Sequence, residues 1–411
     1  MSEQLSARFQ NRIAAIALPF AFFCITATLF HAQSREALCI NGSGRFETEF
    51  RTGVRLRISA STSEGGLATR SCKATLGWDK RETVIATESS QLDVDVFGAD
   101  LGLGVPVAAL QIKKADAGCC VAYQIYSLQK PPRLLRTITG GSFFSASDTD
   151  LKGRVEIWTD DAAAVDGFEN LTPSELDFAP SIVLRFERGR LTDVSAQFQP
   201  YFDQQIARLR TELATLDLRD FKNSDGKLAS TPSLSDGPRH SLRAVKIKVL
   251  EIVWSYLYSG REPEAWLALN EMWPAPDVER IQTTLLRARA HGIHAQVDST
   301  ALGVPPSRKK HATVFETASM SRRNNSEVIP PQAILLRRPA PLEFQQGLTD
   351  SEMLLDLVID SAGKVRSAET AGNTKPSADL IQAARDWTFV PAFKDGRAVA
   401  SHLRLAVSDK R

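Results

Sequence analysis

The sequence predicts a multidomain protein with an N-terminal all-β domain, a small α-helical module and a C-terminal two-layer α+β domain. Three observations predict it. Apolar and polar residues alternate with period two from about Cys39 to Phe198, the period turns helical after Pro200, and from Val328 the chain reads strand, turn, strand, helix, strand. The segments in order are a leader (1–34), a β-rich domain (35–198), a helical module (199–296), a linker (297–327) and the α+β domain (328–411). At 411 residues the chain is long enough for two or three cores. Its 43% hydrophobic content and net charge of +2 point away from disorder and from a nucleic-acid or anionic-membrane partner.

The leader has three parts. "MSEQLSARFQNR" is polar with two arginines, "IAAIALPFAFFCITATLF" is apolar, and "HAQSREA" places Ala32 and Ser34 at the minus-three and minus-one positions of a cleavage before Arg35. That is the pattern of a secretory signal, and it predicts a periplasmic or cell-envelope location with a mature N-terminus at Arg35. The alternative is an inner-membrane anchor over residues 13–30, because about 18 apolar residues just suffice to span a bilayer. Cleavage would leave Cys39, Cys72, Cys119 and Cys120, an even number in an exported chain, which favours disulfides. Adjacent cysteines rarely bridge each other without straining the intervening peptide, so Cys39 or Cys72 is expected to pair with Cys119 or Cys120. A zinc site is disfavoured by the lack of CxxC spacing.

The β-rich part is carried by "RFETEFRTGVRLRIS", "KATLGWD", "QLDVDVFG", "VAALQIKK", "CVAYQIYSL", "RVEIWTD" and "SIVLRFERGRL", separated by Gly, Asp, Ser or Pro clusters. The glycines of "FGADLGLGVPVAALQI" precede a strand and no helix, so they read as turns and not as a phosphate cradle. "SASDTDLKGRVEIW" sets Asp148, Asp150, Gly153 and Glu156 at the spacing of Asp-rich calcium loops, which it resembles. Lys152 stands where a ligand belongs, so the favoured reading is a degenerate turn without metal. Asp160, Asp161 and Asp166 follow shortly after.

Beyond Pro200, Ile206, Leu209, Leu213 and Leu216 mark one face of an amphipathic helix. Helices broken at Ser259-Gly260 and at Pro274–Pro276 follow, and Tyr256 to Ala265 resembles the turn of one tetratricopeptide helix pair. His291 and His294 form an HxxH without a third ligand nearby, which favours a surface or capping role. "STALGVPPSRKKHATVFETASMSRRNN" has no sustained period and reads as a solvated tether.

In the last segment, a strand from Met353 to Ile359, a turn Asp360-Ser361-Ala362-Gly363 and a strand from Lys364 to Thr370 make a hairpin. A helix from Ser377 to Trp387 crosses it, and a third strand runs from about Ala398 to Val407. Trp387 and Phe389 cap the core, Pro391 stops the helix and Gly396 frees the next turn. The hairpin "IDSAGKV", the block "IQAARDWTFVPAFKDGRAV", and Pro330-Pro331 with Ala333 resemble the TonB C-terminal domain family at its own spacing. The resemblance implies a non-enzymatic periplasmic interaction domain linked to transmembrane transport. It binds an extended segment of an outer-membrane transporter, or another envelope protein, by strand addition to an exposed sheet edge.

The third strand is the candidate edge: Val399, Ala400, Ser401, His402, Leu403, Arg404 and Leu405. Ser401, Leu403 and Leu405 share one face, and Ala400, His402, Arg404 and Ala406 the other. The alternatives are an edge buried in a homodimer or under the chain's own linker, and an exported binding protein whose β domain is the functional part, with the C-terminal domain serving assembly. An enzyme is not expected. There is no GxSxG, no HExxH and no histidine between Arg35 and Arg239, and no cofactor motif was found.

Overall fold

The structure, a computed structural model, describes residues 45–62, 70–114, 118–170, 176, 178–227, 237–301, 312–317, 328–335, 353–371 and 378–407. Among them are five sheets and seven α-helices, with about 41% strand. The leader, its cleavage position and Cys39 lie outside the described residues.

The first sheet is an antiparallel meander of β1 (Arg45–Glu49), β2 (Val54–Thr62), β3 (Arg70–Trp78), β4 (Arg81–Phe97), β5 (Val107–Lys114), β6 (Val121–Ser127) and β7 (Leu134–Gly141). In β2 the alternation is plain. Val54, Leu56 and Ile58 are buried, while Arg57 points outward and pairs with Glu47 at 3.1 Å. In β5 the run from Val107 to Ile112 is buried throughout, because this central strand is covered on both faces. Bulges in β4 between Ser89 and Gln91 and between Val94 and Val96 shift the pattern, so Val94 faces one core and Val96 the other. The glycine-rich stretch after β4 is a turn closed by its own acid. Asp100 Oδ1 accepts the backbone N–H groups of Gly102, Leu103 and Gly104 at 2.8–3.0 Å.

The second sheet holds β8 (Phe144–Ser147), β9 (Glu156–Asp160), β10 (Ser181–Glu187), β11 (Arg190–Asp193) and β12 (Ser299–Thr300), in the order β12-β11-β10-β9-β8. The helices are α1 (Ala162–Val165), α2 (Gln199–Leu213), α3 (Leu218–Lys222), α4 (Gly237–Tyr258), α5 (Glu262–Met272) and α6 (Val278–His291). Phe202, Ile206, Leu209 and Leu213 line the buried stripe of α2. Tyr258 ends α4, and Gly260 at φ +75° lets the chain turn into α5, where Arg261 N–H reaches Tyr256 O. This helix pair packs on α2 and the second sheet. One core cluster joins Val96 and Tyr123 of the first sheet, Ile157 and Leu184 of the second, and Phe202, Trp254 and Trp273 of the helices. The boundary expected at 198/199 therefore runs through a shared core, because five short strands need the helices to cover their apolar face.

A buried charge cluster pins the helices. Lys246, 3% exposed, pairs with Glu169 at 3.1 Å, and Arg280 bridges Glu169 and Asp277, both at 2.5 Å. Each charge is met by an opposite one, the condition under which buried ions are tolerated.

The remaining elements are β13 (Phe315–Glu316), β14 (Val328–Ile329), β15 (Gln332–Leu335), β16 (Met353–Ile359), β17 (Val365–Thr370), α7 (Ala378–Ala384), β18 (Thr388–Val390), β19 (Ala392–Lys394), β20 (Arg397–Val399) and β21 (Ser401–Val407). They form a four-stranded sheet in the order β13-β21-β16-β17, a three-stranded sheet β14-β19-β20 and the pair β15-β18. Leu355, Leu357 and Ile359 pack with Leu380, Ala384, Trp387 and Phe389, and Trp387 is 1% exposed.

Several expectations need correction. The helix ends at Ala384, before Trp387, so Pro391 does not stop it. Pro391 instead separates β18 from β19, where its missing N–H interrupts the ladder. The third strand is not continuous. Val399 belongs to β20 and pairs with Ala392, and the chain changes sheet at Ala400. Asp395 (φ 49°) and Gly396 (φ 78°) form the two-residue turn of the β19–β20 hairpin. The solvated tether also fails in its described parts. Ser299–Thr300 pairs parallel with β11, and Phe315–Glu316 pairs parallel with β21.

Cys119 and Cys120 are bonded to each other, so neither pairs with Cys39 or Cys72 as expected. Cys72 is disulfide-bonded too. No described helix is long and apolar enough to cross a membrane.

Candidate strand-accepting edge

β21 is held on one side by β16, antiparallel, from Ser401↔Ile359 to Val407↔Met353. On its other side β13 covers only Ser401 and His402. The direction of each backbone group follows from two bonds. Phe315 N–H donates to Ala400 O at 2.9 Å, and Thr317 Oγ1 donates to His402 O. The N–H and C=O of one strand residue point to the same side and alternate along the chain. Ala400, His402, Arg404 and Ala406 therefore turn their backbone groups away from β16, while Ser401, Leu403, Leu405 and Val407 turn theirs toward it. Beyond His402, Arg404 and Ala406 present an edge that no other described strand pairs with.

The side chains divide as the alternation requires. Ser401 is buried, and Leu403 and Leu405 pack on the Trp387 cluster. Arg404 and Ala406 are exposed, and Arg404 reaches Asp356 at 3.3 Å. Beside the β20–β21 junction lies a cavity of about 430 Å³, lined among others by Leu151, Lys152, Thr313, Phe315, Val399 and Ala400.

Behind the edge, the turn of the β16–β17 hairpin is plugged between the two large sheets. Lys364 Nζ bonds Asp95 Oδ1 at 2.7 Å and the Asp95 carbonyl, and Asp95 Oδ2 also accepts Tyr123 Oη at 2.7 Å and Ala146 N at 2.9 Å. Gly363, at φ +84°, passes so close to the Phe389 carbonyl that a Cβ would overlap it. Its neighbour Ala362 belongs to the core shared by sheets and helices.

The Asp-rich turn serves the same junction. Asp148 accepts Lys152 N (3.0 Å), Gly153 N (2.7 Å) and Ser361 Oγ (2.9 Å), and its own N–H donates to Asp360 Oδ2 at 3.0 Å. Asp150 pairs with Lys152 at 2.9 Å and Arg154 at 3.2 Å, and Glu156 with Arg185 at 2.6 Å. The oxygens that a calcium ion would take are engaged by the protein's own donors. His291 Nδ1 lies 2.6 Å from Arg287 O, and His294 Nδ1 lies 3.7 Å from Asp193. No group of three or more His, Cys, Asp or Glu suited to a metal ion occurs among the described residues.

Sequence reasoning reached β21 but missed Asp95, Lys364, Ser361 and β13. Asp95 sits at a polar position of an alternating strand, which normally faces water, and only the second layer turns that position inward. Lys364 reads as an ordinary turn lysine.

Burial pushes the Asp360 carboxyl up to about 7, against the backbone hydrogen bonds it accepts. In the unfolded chain an aspartate titrates near 3.9. Between those values the folded state binds more protons, so stability falls as pH rises through this window. Asp148, Glu156 and Asp161 are also raised, chiefly by burial, and act in the same direction. Glu169 and Asp277 act oppositely: burial is the largest single influence and raises them, but the hydrogen bonds they accept together with the charges of Arg280 and Lys246 outweigh it, and their contribution is lost only in the acid range. Thermal unfolding should therefore have a higher midpoint at about pH 5.5 than at about pH 8, and Asp360→Asn should reduce the difference. An unchanged pH profile in that variant would contradict the assignment to Asp360.

No family model, curated protein or solved structure matches the chain.

Proposed function

We propose that this is a non-enzymatic envelope protein that receives an extended segment of an outer-membrane transporter, or of another envelope protein, as an added strand along β21. The observation that carries the reading is the line of backbone groups at Arg404 and Ala406, on an edge strand backed by the Trp387 core. The hairpin, helix and strand order with β21 beside β16, together with the resemblance of residues 328–411 to the TonB C-terminal domain family, supports it. Export by the N-terminal segment places both partners in one compartment.

The geometry selects the test. Proline at Ser401 or Leu403 would break the ladder to β16, whereas Arg404 directs its N–H outward. Arg404→Pro should therefore abolish binding of an extended transporter peptide, measured by calorimetry, with the fold checked by circular dichroism. Arg404→Ala should bind nearly as the parent does, because the Arg404–Asp356 pair is largely exposed and such pairs contribute little. Equal binding by a folded Arg404→Pro variant would remove β21 as the recognition edge.

One observation favours a second reading. Val390 and Phe393 sit in the core of the first sheet, and Lys364 is tied to Asp95, so the C-terminal elements help to complete the β-rich part. In that reading the protein is an exported binding protein whose C-terminal elements serve assembly. Transporter-peptide binding that is absent in the parent as well as in Arg404→Pro would shift the weight to it.

A further inference from the structure

We infer that β13 is an internal occupant of the strand-accepting edge and must leave before a partner strand can pair along the whole of β21. The inference rests on the strand-addition reading and adds its regulation.

Position comes first. Phe315 and Glu316 lie parallel to Ser401 and His402, the first two residues of β21, with Phe315 N–H on Ala400 O and Thr317 Oγ1 on His402 O. Those carbonyls belong to the same row as the outward groups of Arg404 and Ala406. β13 therefore occupies the start of the row that an added strand would use. A strand entering at Ala406 and running toward Ala400 meets β13 after two outward residues.

Strength comes second, and it is graded. The ladder is two residues long, and pairing this short is weak by itself. A few further groups hold it. Thr313 N–H donates to Leu151 O at 3.3 Å, Lys394 Nζ lies 4.6 Å from the Phe315 ring centroid, and Glu316 Oε1 lies 3.9 Å from His402 Nε2. The Phe315 side chain is only partly buried, and it lines the cavity beside the β20–β21 junction instead of sitting in a core cluster. Among the described residues β13 is thus a cover with few apolar anchors, held in place largely because it belongs to the same chain. An intramolecular strand has a millimolar effective concentration, so weak pairing suffices to keep it seated. A longer competing strand gains ladder bonds at Arg404 and Ala406 that β13 does not make.

Chemistry comes third. A segment suited to this edge must place small or polar residues beside Ala400 and His402 and an apolar group where Phe315 now lies, beneath Lys394 and lining the cavity that Leu151 also lines. The sequence of β13 and its neighbours, Ala312-Thr-Val-Phe-Glu-Thr317, is itself such a segment. It provides a probe that needs no knowledge of the natural partner.

The test uses the full chain and a labelled peptide of the sequence ATVFET, with binding followed by fluorescence anisotropy. Phe315→Pro removes the N–H that bonds Ala400 O and unseats the internal strand. The variant is expected to bind the peptide at least about tenfold more tightly than the parent, the scale of losing a backbone bond and its associated packing. Thr317→Ala, which removes one hydroxyl donor and leaves the backbone intact, should give a smaller gain in the same direction. Near-ultraviolet circular dichroism of both variants establishes that the Trp387 core is retained.

Tighter binding by Phe315→Pro, with Thr317→Ala between it and the parent, supports the inference. Equal affinity in parent and both folded variants overturns it and leaves the strand-addition reading standing, since the edge would then accept a strand without displacing β13. No binding by any folded form overturns the inference as well, because the row at Ala400 and His402 would then not accept a strand in trans. Transporter-peptide binding lost in Arg404→Pro would still uphold the reading in that case. A dimeric Phe315→Pro variant that fails to take the peptide would show the vacated edge pairing with a second copy, which also counts against release for a foreign strand.

Discussion

Replacing Lys364 by methionine is expected to destabilise the full chain by about 3–5 kcal/mol, the range for removing one partner of a buried ion pair. The expectation comes from what the ammonium leaves behind. The Asp95 side chain is 0% and that of Lys364 9% exposed. Without Lys364, Asp95 Oδ2 keeps Tyr123 Oη and Ala146 N, but the carboxylate loses its opposite charge at 2.7 Å inside a low-dielectric junction. The methionine fills a similar volume, so the loss reports charge and hydrogen bonding more than packing. Lys364 also ties the β16–β17 turn to the first sheet, so the variant should loosen the join between the C-terminal elements and the rest. Urea titration followed by tryptophan fluorescence measures it. Adding Asp95→Asn should recover much of the loss, because no uncompensated charge then remains. A loss below about 1 kcal/mol, as for an exposed pair, would mean that water reaches the junction.

Trp387→Ala is expected to cost about 3–5 kcal/mol by cavity formation. The side chain is 1% exposed and packs with Leu355, Leu357, Ile359 and Phe389, so little can collapse into the space. Natural domains have about 5–15 kcal/mol in total, so the variant should be marginal. The measurement belongs on the full chain, because Val390 and Phe393, three and six residues further on, complete the core of the first sheet. A fragment beginning at residue 328 would expose them. An unfolding midpoint close to that of the parent would mean that the neighbours refill the site.

Together, the two variants probe different connections of one short segment. Trp387 reports on the sheet-and-helix layer that supports β21, and Lys364 on the hairpin turn that anchors that layer to the first sheet. Loss of strand binding in both, with Arg404→Ala unaffected, would show that the edge depends on its support and not on its exposed side chains.

What the amino-acid sequence determined by itself was local. The alternation of Val54, Leu56 and Ile58, the stripe from Ile206 to Leu213 and the hairpin from Met353 to Thr370 are legible because side-chain direction repeats every two residues or every 3.6. The Asp395-Gly396 turn is legible because few residues accept two successive positive φ angles. What only the tertiary structure decided was which of these surfaces face one another. Asp95 and Lys364 are 269 residues apart, and nothing in either neighbourhood marks them as partners. β12 and β13 are two residues each, too short to show a period, and they are strands only because β11 and β21 offer unpaired backbone groups beside them. The break of the last strand at Ala400 has the same origin. Its two halves read as one apolar run, yet β19 claims Val399 and β16 claims Ser401, and a chain that must satisfy two sheets has to change direction between them.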